Sequence, residues 1–217
     1  MAFPNEVPEP AAKLFYEALE TELGGVDIYA MALRCAKNPE LREEWGAYRE
    51  QTIRHVEIVR HIVDVAGLDP DAITPGRLIV REKGKALLAA MQKALKDAPD
   101  DAEVVAAECV VDAETKDHKN WGLMKALDER LSGDLRQTVA DAVAEVEDQE
   151  DEHLYHTMGW ARELSMQALG VDAVLPPPEE VQDVKSALGA ARAKASRNSM
   201  PKAAAKPPPA RPPRARR

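Results

Sequence analysis

An apolar stripe at helical spacing runs through residues 139–164 and contains a glutamate and a histidine. Steps of three and four residues pick out Val139, Val143, Val146, Glu150, His153, Thr157, Trp160 and Leu164. This spacing is typical of a helix face turned toward a protein core. The stripe therefore predicts a long helix that places the Glu150 carboxylate and the His153 imidazole inside the molecule.

Two other segments carry stripes of the same kind. The first consists of Phe15, Leu19, Glu22, Val26, Tyr29 and Leu33. The second consists of Val104, Ala107, Val111, Glu114, His118 and Trp121. Each stripe predicts one core-facing glutamate that is followed seven residues later by an aromatic residue.

Turn-forming residues divide the chain into four long predicted helices. They cover residues 11–36 with an interruption at Gly24 and Gly25, 40–66, 101–131 and 134–169. Residues 67–99 form a long connection that begins with the turn-forming "GLDPDAITPGR" and contains a short helical piece around "KALLAAMQKALK". The composition, 45% apolar but only 4% aromatic, favours one all-α domain. Two helix pairs joined by one long crossover are therefore expected.

The two halves of the chain resemble each other in sequence. "ELGGVDIY" at 22–29 matches "ETKDHKNW" at 114–121, and "QTIRH" at 51–55 matches "QEDEH" at 149–153. The second match places Thr52 where the other half has Glu150. Helix two therefore brings His55 without a neighbouring carboxylate.

Several core-facing carboxylates require a shared cation, because burying an uncompensated charge is costly. Residues i and i+3 lie on one helix face, so Glu150 and His153 can reach the same ion. Carboxylate and imidazole ligands suit iron, manganese or zinc better than calcium. The predicted ligands are Glu22, His55, Glu114, Glu150 and His153.

Several neighbouring residues have two interpretations. Glu147 lies one turn before Glu150 and is either a replacement ligand for the missing acid or one more acid in a charged run. His118 and His156 are expected beside the site rather than in it. Tyr29 and Trp121 are expected to pack in the core, with hydrogen bonding to a ligand or electron transfer as the alternative.

The order of Glu22, His55, Glu114 and "EDEH" at 150–153 around a central crossover resembles the ferritin-like superfamily. The Glu-x6-aromatic spacing is most similar to its rubrerythrin-type branch. Over residues 10–170 the resemblance implies a ferritin-like up-down four-helix bundle with a long crossover between helices two and three. In that family helices one and three each supply a Glu, helices two and four each supply Glu-x-x-His, and together they hold two iron ions. Thr52 departs from this pattern.

The resemblance implies a di-iron oxidoreductase of the ferroxidase or peroxidase type, which oxidises ferrous iron or reduces oxygen or peroxide. The expected cofactor is one or two iron ions, with manganese or zinc as alternatives. The other function class is a non-catalytic helical bundle, a stress or scaffold protein with a degenerate metal site. A monomer or homodimer is expected in either case.

The C-terminal segment differs from the rest of the chain in charge. Residues 179–217 hold ten Lys or Arg and three acids, a net charge of +7, whereas residues 1–178 hold 19 basic and 35 acidic residues, a net charge of −16. We expect an N-terminal extension at 1–9, the bundle at 10–175 and a disordered tail rich in Pro, Ala, Lys and Arg at 176–217. Such a tail would bind nucleic acid or acidic protein surfaces.

The sequence also predicts where the protein resides. Cys35 and Cys109 lack a CxxC spacing and are expected to be reduced core residues. The N-terminus lacks the pattern of a signal peptide, and no segment approaches the roughly 20 apolar residues that cross a bilayer. These observations predict a cytoplasmic protein without membrane contact.

Overall fold

The computed structural model describes residues 7–172, and within that range every regular element is helical. The helices are α1 (Glu9–Cys35), α2 (Pro39–Val65), α3 (Pro75–Asp97), α4 (Ala102–Ala126) and α5 (Gly133–Leu169), with a 3₁₀ turn at Asp128–Arg130. The prediction of an all-α fold is confirmed. The prediction of a disordered tail at 176–217 falls outside the described residues.

Local sequence signals set the ends of these helices. Asn38 caps α2, because its Oδ1 accepts hydrogen bonds from the backbone N–H groups of Glu40 and Leu41 at 2.9 and 3.3 Å. Gly170 ends α5 with a φ of 69°, a left-handed conformation that glycine adopts without steric cost. The short loops at residues 36–38 and 127–132 therefore hold α1 beside α2 and α4 beside α5.

The crossover contains a full helix of 23 residues, longer than the short helical piece predicted from the sequence. The sequence assigned all of "GLDPDAITPGR" to a turn, but its last residues begin the helix. Thr74 caps α3 by accepting a hydrogen bond from the N–H of Arg77, and Pro75 occupies the first turn. Arg77 then fixes the crossover to α1, since its Nε donates to Oε2 of Glu20 at 3.0 Å. Its Nη1 also donates to the carbonyl oxygens of Pro70 and Ala72.

Helix α1 continues through Gly24 and Gly25, where the sequence predicted an interruption. Gly25 is buried at the contact with α2. A Cβ placed on Gly25 would lie 3.1 Å from Cγ2 of Thr52, so the missing side chain permits the two helices to approach closely. The glycine therefore serves packing between helices and does not break one.

Two apolar clusters lie on either side of a polar layer, which contains the buried side chains of Glu22, His55, Glu114, Glu150 and His153. One is centred on Trp45 and Trp160, and the other on Phe15 and Trp121. Helices α1 and α5 run from the Phe15 cluster toward the Trp160 cluster, whereas α2 and α4 run the opposite way. Helices α2 and α4 are thus parallel, because α3 returns the chain between them. The bundle helices are thus antiparallel within each pair, and the long connection joins the second bundle helix to the third.

Two further sequence predictions concern cysteines and membrane contact. Cys35 and Cys109 are both buried and form no disulfide. Between residues 7 and 172, none of the helices combines the length and apolar character needed to span a membrane.

Candidate metal centre

The five predicted ligands converge in the polar layer between the two apolar clusters. Their exposed fractions are 4% or less. Ligand atoms of Glu22, His55 and Glu150 lie within 4.8 Å of one another, and so do those of Glu114, Glu150 and His153. All four bundle helices thus contribute to two groups that share Glu150.

Glu150 lies between the two histidines. Its Oε1 is 3.1 Å from Nδ1 of His55 and 3.6 Å from Nδ1 of His153. The remaining acids lie one on each side: Oε2 of Glu22 is 3.7 Å from Nδ1 of His55, and Oε2 of Glu114 is 3.7 Å from Nδ1 of His153. The arrangement consists of two similar halves around a central carboxylate.

Two glutamines orient the histidines across the bundle. Nε2 of His55 donates to Oε1 of Gln149 at 3.0 Å, and Nε2 of His153 donates to Oε1 of Gln51 at 2.7 Å. A glutamine oxygen can only accept, so each imidazole carries its proton on Nε2. The lone pair of each Nδ1 therefore faces the carboxylates.

The aromatic residues of the repeat also act across the bundle. Nε1 of Trp121 donates to Oε1 of Glu22 at 2.9 Å, so this residue bonds a candidate ligand in addition to packing in the core. Tyr29 faces the equivalent acid of the other half, and burial together with the Glu114 carboxylate raises the pKa of Tyr29 well above its usual value. Trp121 of the second half thus bonds the glutamate of the first half, and Tyr29 of the first half lies beside the glutamate of the second half.

Six donor atoms of the five predicted ligands meet no hydrogen-bond partner within residues 7–172. They are Oε2 of Glu22, Nδ1 of His55, Oε2 of Glu114, both carboxylate oxygens of Glu150 and Nδ1 of His153. Buried polar atoms are normally paired, and an unpaired one costs about 1–3 kcal/mol. Six such atoms facing one another match the donor set that a cation requires, so these residues could hold a metal ion.

The electrostatics of the layer agree with this arrangement. Burial, followed by the neighbouring His153, lowers the pKa of His55 to about 3, so the ring is neutral at physiological pH. Burial and the surrounding acids raise the pKa values of Glu22 and Glu150 well above their usual range. The acids repel one another without a cation, whereas the His55 imidazole is already in the neutral form that binds metals.

Sequence reasoning missed one acid of this layer, Asp117. Its exposed fraction is 5%, and burial followed by the charge of Glu114 raises its pKa to about 8. The predicted stripe stepped four residues from Glu114 to His118, whereas α4 buries the residue three positions on. The spacing of Glu114, Asp117 and Trp121, which also follows a helical period, is the signal that could have found it.

The structure places Glu147 away from both groups. Nζ of Lys125 donates to its two carboxylate oxygens at 2.7 and 2.9 Å, and its side chain is 32% exposed. Thr52 is buried, and its hydroxyl donates to the carbonyl oxygen of Tyr48 at 2.9 Å. The position equivalent to Glu150 therefore carries no carboxylate, and Glu147 does not reach the layer in its place.

The other histidines lie beside the site and not in it. His118 contacts Oδ1 of Asp151 through Nε2 at 2.9 Å. His156 belongs to a buried cluster in which its Nδ1 lies 3.0 Å from the Tyr48 hydroxyl and 3.3 Å from Oε1 of Glu44. The Tyr48 ring packs on the His153 ring with centroids 4.3 Å apart, so this cluster supports one candidate ligand from behind.

Comparisons of the chain with protein-family models, with curated proteins and with solved structures gave no significant match.

Proposed function

We propose that this chain is a ferritin-like, rubrerythrin-type protein that binds one or two iron ions among Glu22, His55, Glu114, Glu150 and His153. The observation that carries the proposal is the set of six buried donor atoms without hydrogen-bond partners, divided into two groups that share Glu150. The helix order, with a long crossover between the second and third bundle helices, supports the relationship.

The donor chemistry favours a transition metal. Carboxylate oxygens combined with imidazole nitrogens suit iron, manganese and zinc, whereas calcium and magnesium prefer oxygen ligands alone. The hydrogen bonds from the two histidines to Gln51 and Gln149 are of the kind that orients metal-binding imidazoles. Iron bound here would supply a redox-active centre for the oxidation of ferrous iron or the reduction of oxygen or peroxide.

A non-catalytic function is the second candidate, and Thr52 is the observation that favours it. A threonine at this position removes one acid from the four that the rubrerythrin-type pattern supplies. A bundle that binds an ion for stability alone, as a stress or scaffold protein would, tolerates this loss. Both candidate functions require that the bundle binds metal. Only the first requires that the bound iron reacts with oxygen or peroxide.

Rapid mixing of iron-loaded protein with an oxidant tests the proposal. The protein is loaded anaerobically with ferrous iron and mixed with oxygen or with hydrogen peroxide, and ferric absorbance and oxidant consumption are followed. We expect oxidation faster than for free ferrous iron in the wild type, and its loss in Glu150→Ala and His153→Ala. His118→Ala is the matched control, because it removes a histidine that contacts Asp151 outside both groups.

Circular dichroism shows whether each variant keeps its helices. Iron binding without accelerated oxidation in the wild type would support the non-catalytic candidate. Full activity in both ligand variants would contradict the proposed site.

A further inference from the structure

The two halves of the repeat differ at two positions that face each other across a helix pair. Alignment of Glu22 with Glu114 places Gly25 opposite Asp117, just as Thr52 corresponds to Glu150. In the first half these positions hold a glycine and a threonine that touch. In the second half they hold two buried acids. At these two positions the first half therefore carries no carboxylate, and the second half carries two.

Asp117 points into the polar layer. It is 5% exposed, and its Oδ1 has no hydrogen-bond partner within the described residues. It lies one turn after Glu114 on the buried face of α4, and burial, followed by the charge of Asp117, raises the pKa values of Glu22 and Glu150 well above their usual range. Asp117 is therefore a buried acid beside the candidate metal centre although it belongs to neither group of three ligands.

A polar chain lies beside Asp117, one turn further along α4. Nδ2 of Asn120 donates to Oγ1 of Thr21 at 3.1 Å. Nζ of Lys116 donates to Oδ1 of the same asparagine. Asn120 is fully buried, so this chain connects α1 and α4 next to the aspartate.

The charge of the site gives this acid a role. Two divalent ions carry four positive charges, whereas Glu22, Glu114 and Glu150 supply only three negative ones. A net charge left in a buried layer is costly. One additional carboxylate makes a site with two divalent ions neutral.

We propose that Asp117 is the fourth carboxylate of a two-ion site and replaces the acid missing at Thr52. This inference rests on the proposed metal binding. It adds that two ions bind and that the Asp117 carboxylate balances the charge of the second ion. Asp117 supplies its charge next to the ions without belonging to either group of three ligands.

Metal stoichiometry of matched variants tests this role. Wild type, Asp117→Asn and Glu103→Gln are titrated anaerobically with Mn²⁺ and Co²⁺, and bound metal is counted after dialysis. Glu103 is the control because it is a buried acid of the same helix that accepts from the backbone N–H groups of Lys37 and Asn38 and belongs to neither group. We expect two ions in the wild type and in Glu103→Gln, and a second ion bound at least ~10-fold more weakly in Asp117→Asn.

A rescue variant separates charge from packing. Thr52→Asp keeps nearly the same volume beside Gly25 and restores an acid to the first half, so Asp117→Asn/Thr52→Asp should regain the second ion. A double variant of native helicity that fails to regain it would overturn the proposal. So would two tightly bound ions in Asp117→Asn, an equal loss of affinity for both ions, or a single ion in the wild type. A wild-type protein that binds no metal would instead refute the proposed function itself.

Discussion

Nε2 of His153 donates a hydrogen bond to Oε1 of Gln51 at 2.7 Å, which leaves Nδ1 of the same ring facing Glu114 and Glu150. Gln149 and His55 form the equivalent pair in the other half. These contacts explain why glutamine precedes histidine by four residues in both halves. In each half, the glutamine of this spacing accepts a hydrogen bond from the histidine of the other half and thereby orients its ring.

Removing either glutamine should weaken metal binding without removing a ligand. Gln51→Ala frees the ring of His153, and Gln149→Ala frees that of His55. Loss of a group that orients a metal-binding histidine typically costs about 10–100-fold in affinity. Isothermal titration with Zn²⁺ measures the effect, and Gln137→Ala on an exposed part of α5 is the control. Wild-type affinity in both glutamine variants would show that the rings need no orientation.

Glu147→Ala should leave metal binding unchanged, whereas Glu150→Ala should abolish it at both groups. Glu147 bonds Lys125 outside the polar layer, and Glu150 belongs to both groups. The sequence admitted Glu147 as a replacement ligand because it lies one turn before Glu150. Bound metal measured after dialysis checks this pair of variants, and a lost ion in Glu147→Ala would show that its side chain moves inward.

The metal-free protein should become less stable as the pH rises from about 6.5 to 8.5. The pKa of Asp117 is raised from 3.8 to about 8, so the stability that its protonated form contributes is lost as the pH rises through that range. Glu22 and Glu150 act in the same direction. His55 acts oppositely but at lower pH: its pKa is lowered from 6.5 to about 3, so its contribution is complete above about 6.5 and is lost on acidification.

Urea unfolding in the presence of a chelator, at several pH values, measures this dependence. In Asp117→Asn the free energy of unfolding should fall less steeply with rising pH, because the carboxyl group that loses a proton is absent. The free energy of unfolding of the metal-free wild type should not stay constant or rise between about pH 6.5 and 8.5. Either result would contradict the expected burial of the acids.

Gly25→Ala should destabilise the protein by about 1 kcal/mol, although alanine favours helices over glycine by about that amount. The new methyl group would meet Cγ2 of Thr52, whose rotamer is fixed by its hydrogen bond to Tyr48. Thr52→Ser removes that methyl group and keeps the hydroxyl, so Gly25→Ala should become stabilising in its presence. Thermal unfolding of the four variants of this cycle checks the contact, and an unchanged effect of Gly25→Ala in the serine background would rule it out.

Helical spacing predicted most of the site but not all of it. The stripe on α5 is buried at every predicted position, because its apolar residues define one face over seven turns. On α4 the same method chose His118 over Asp117, since residues three and four positions after Glu114 both lie near its face. Only the packing of α1 against α4 decides between them. The full length of α3 was also missed, because a proline and a glycine can either form a turn or begin a helix.

Equilibrium metal stoichiometry tests whether the buried donors from all four bundle helices bind metal. Purified protein is stripped with chelator, dialysed against Fe²⁺ under anaerobic conditions and analysed for bound metal, with His55→Ala and His153→Ala in parallel. We expect two ions per chain in the wild type and one fewer in each variant, because each histidine belongs to a different group. An absence of bound metal in a wild-type protein with native helicity would contradict this expectation.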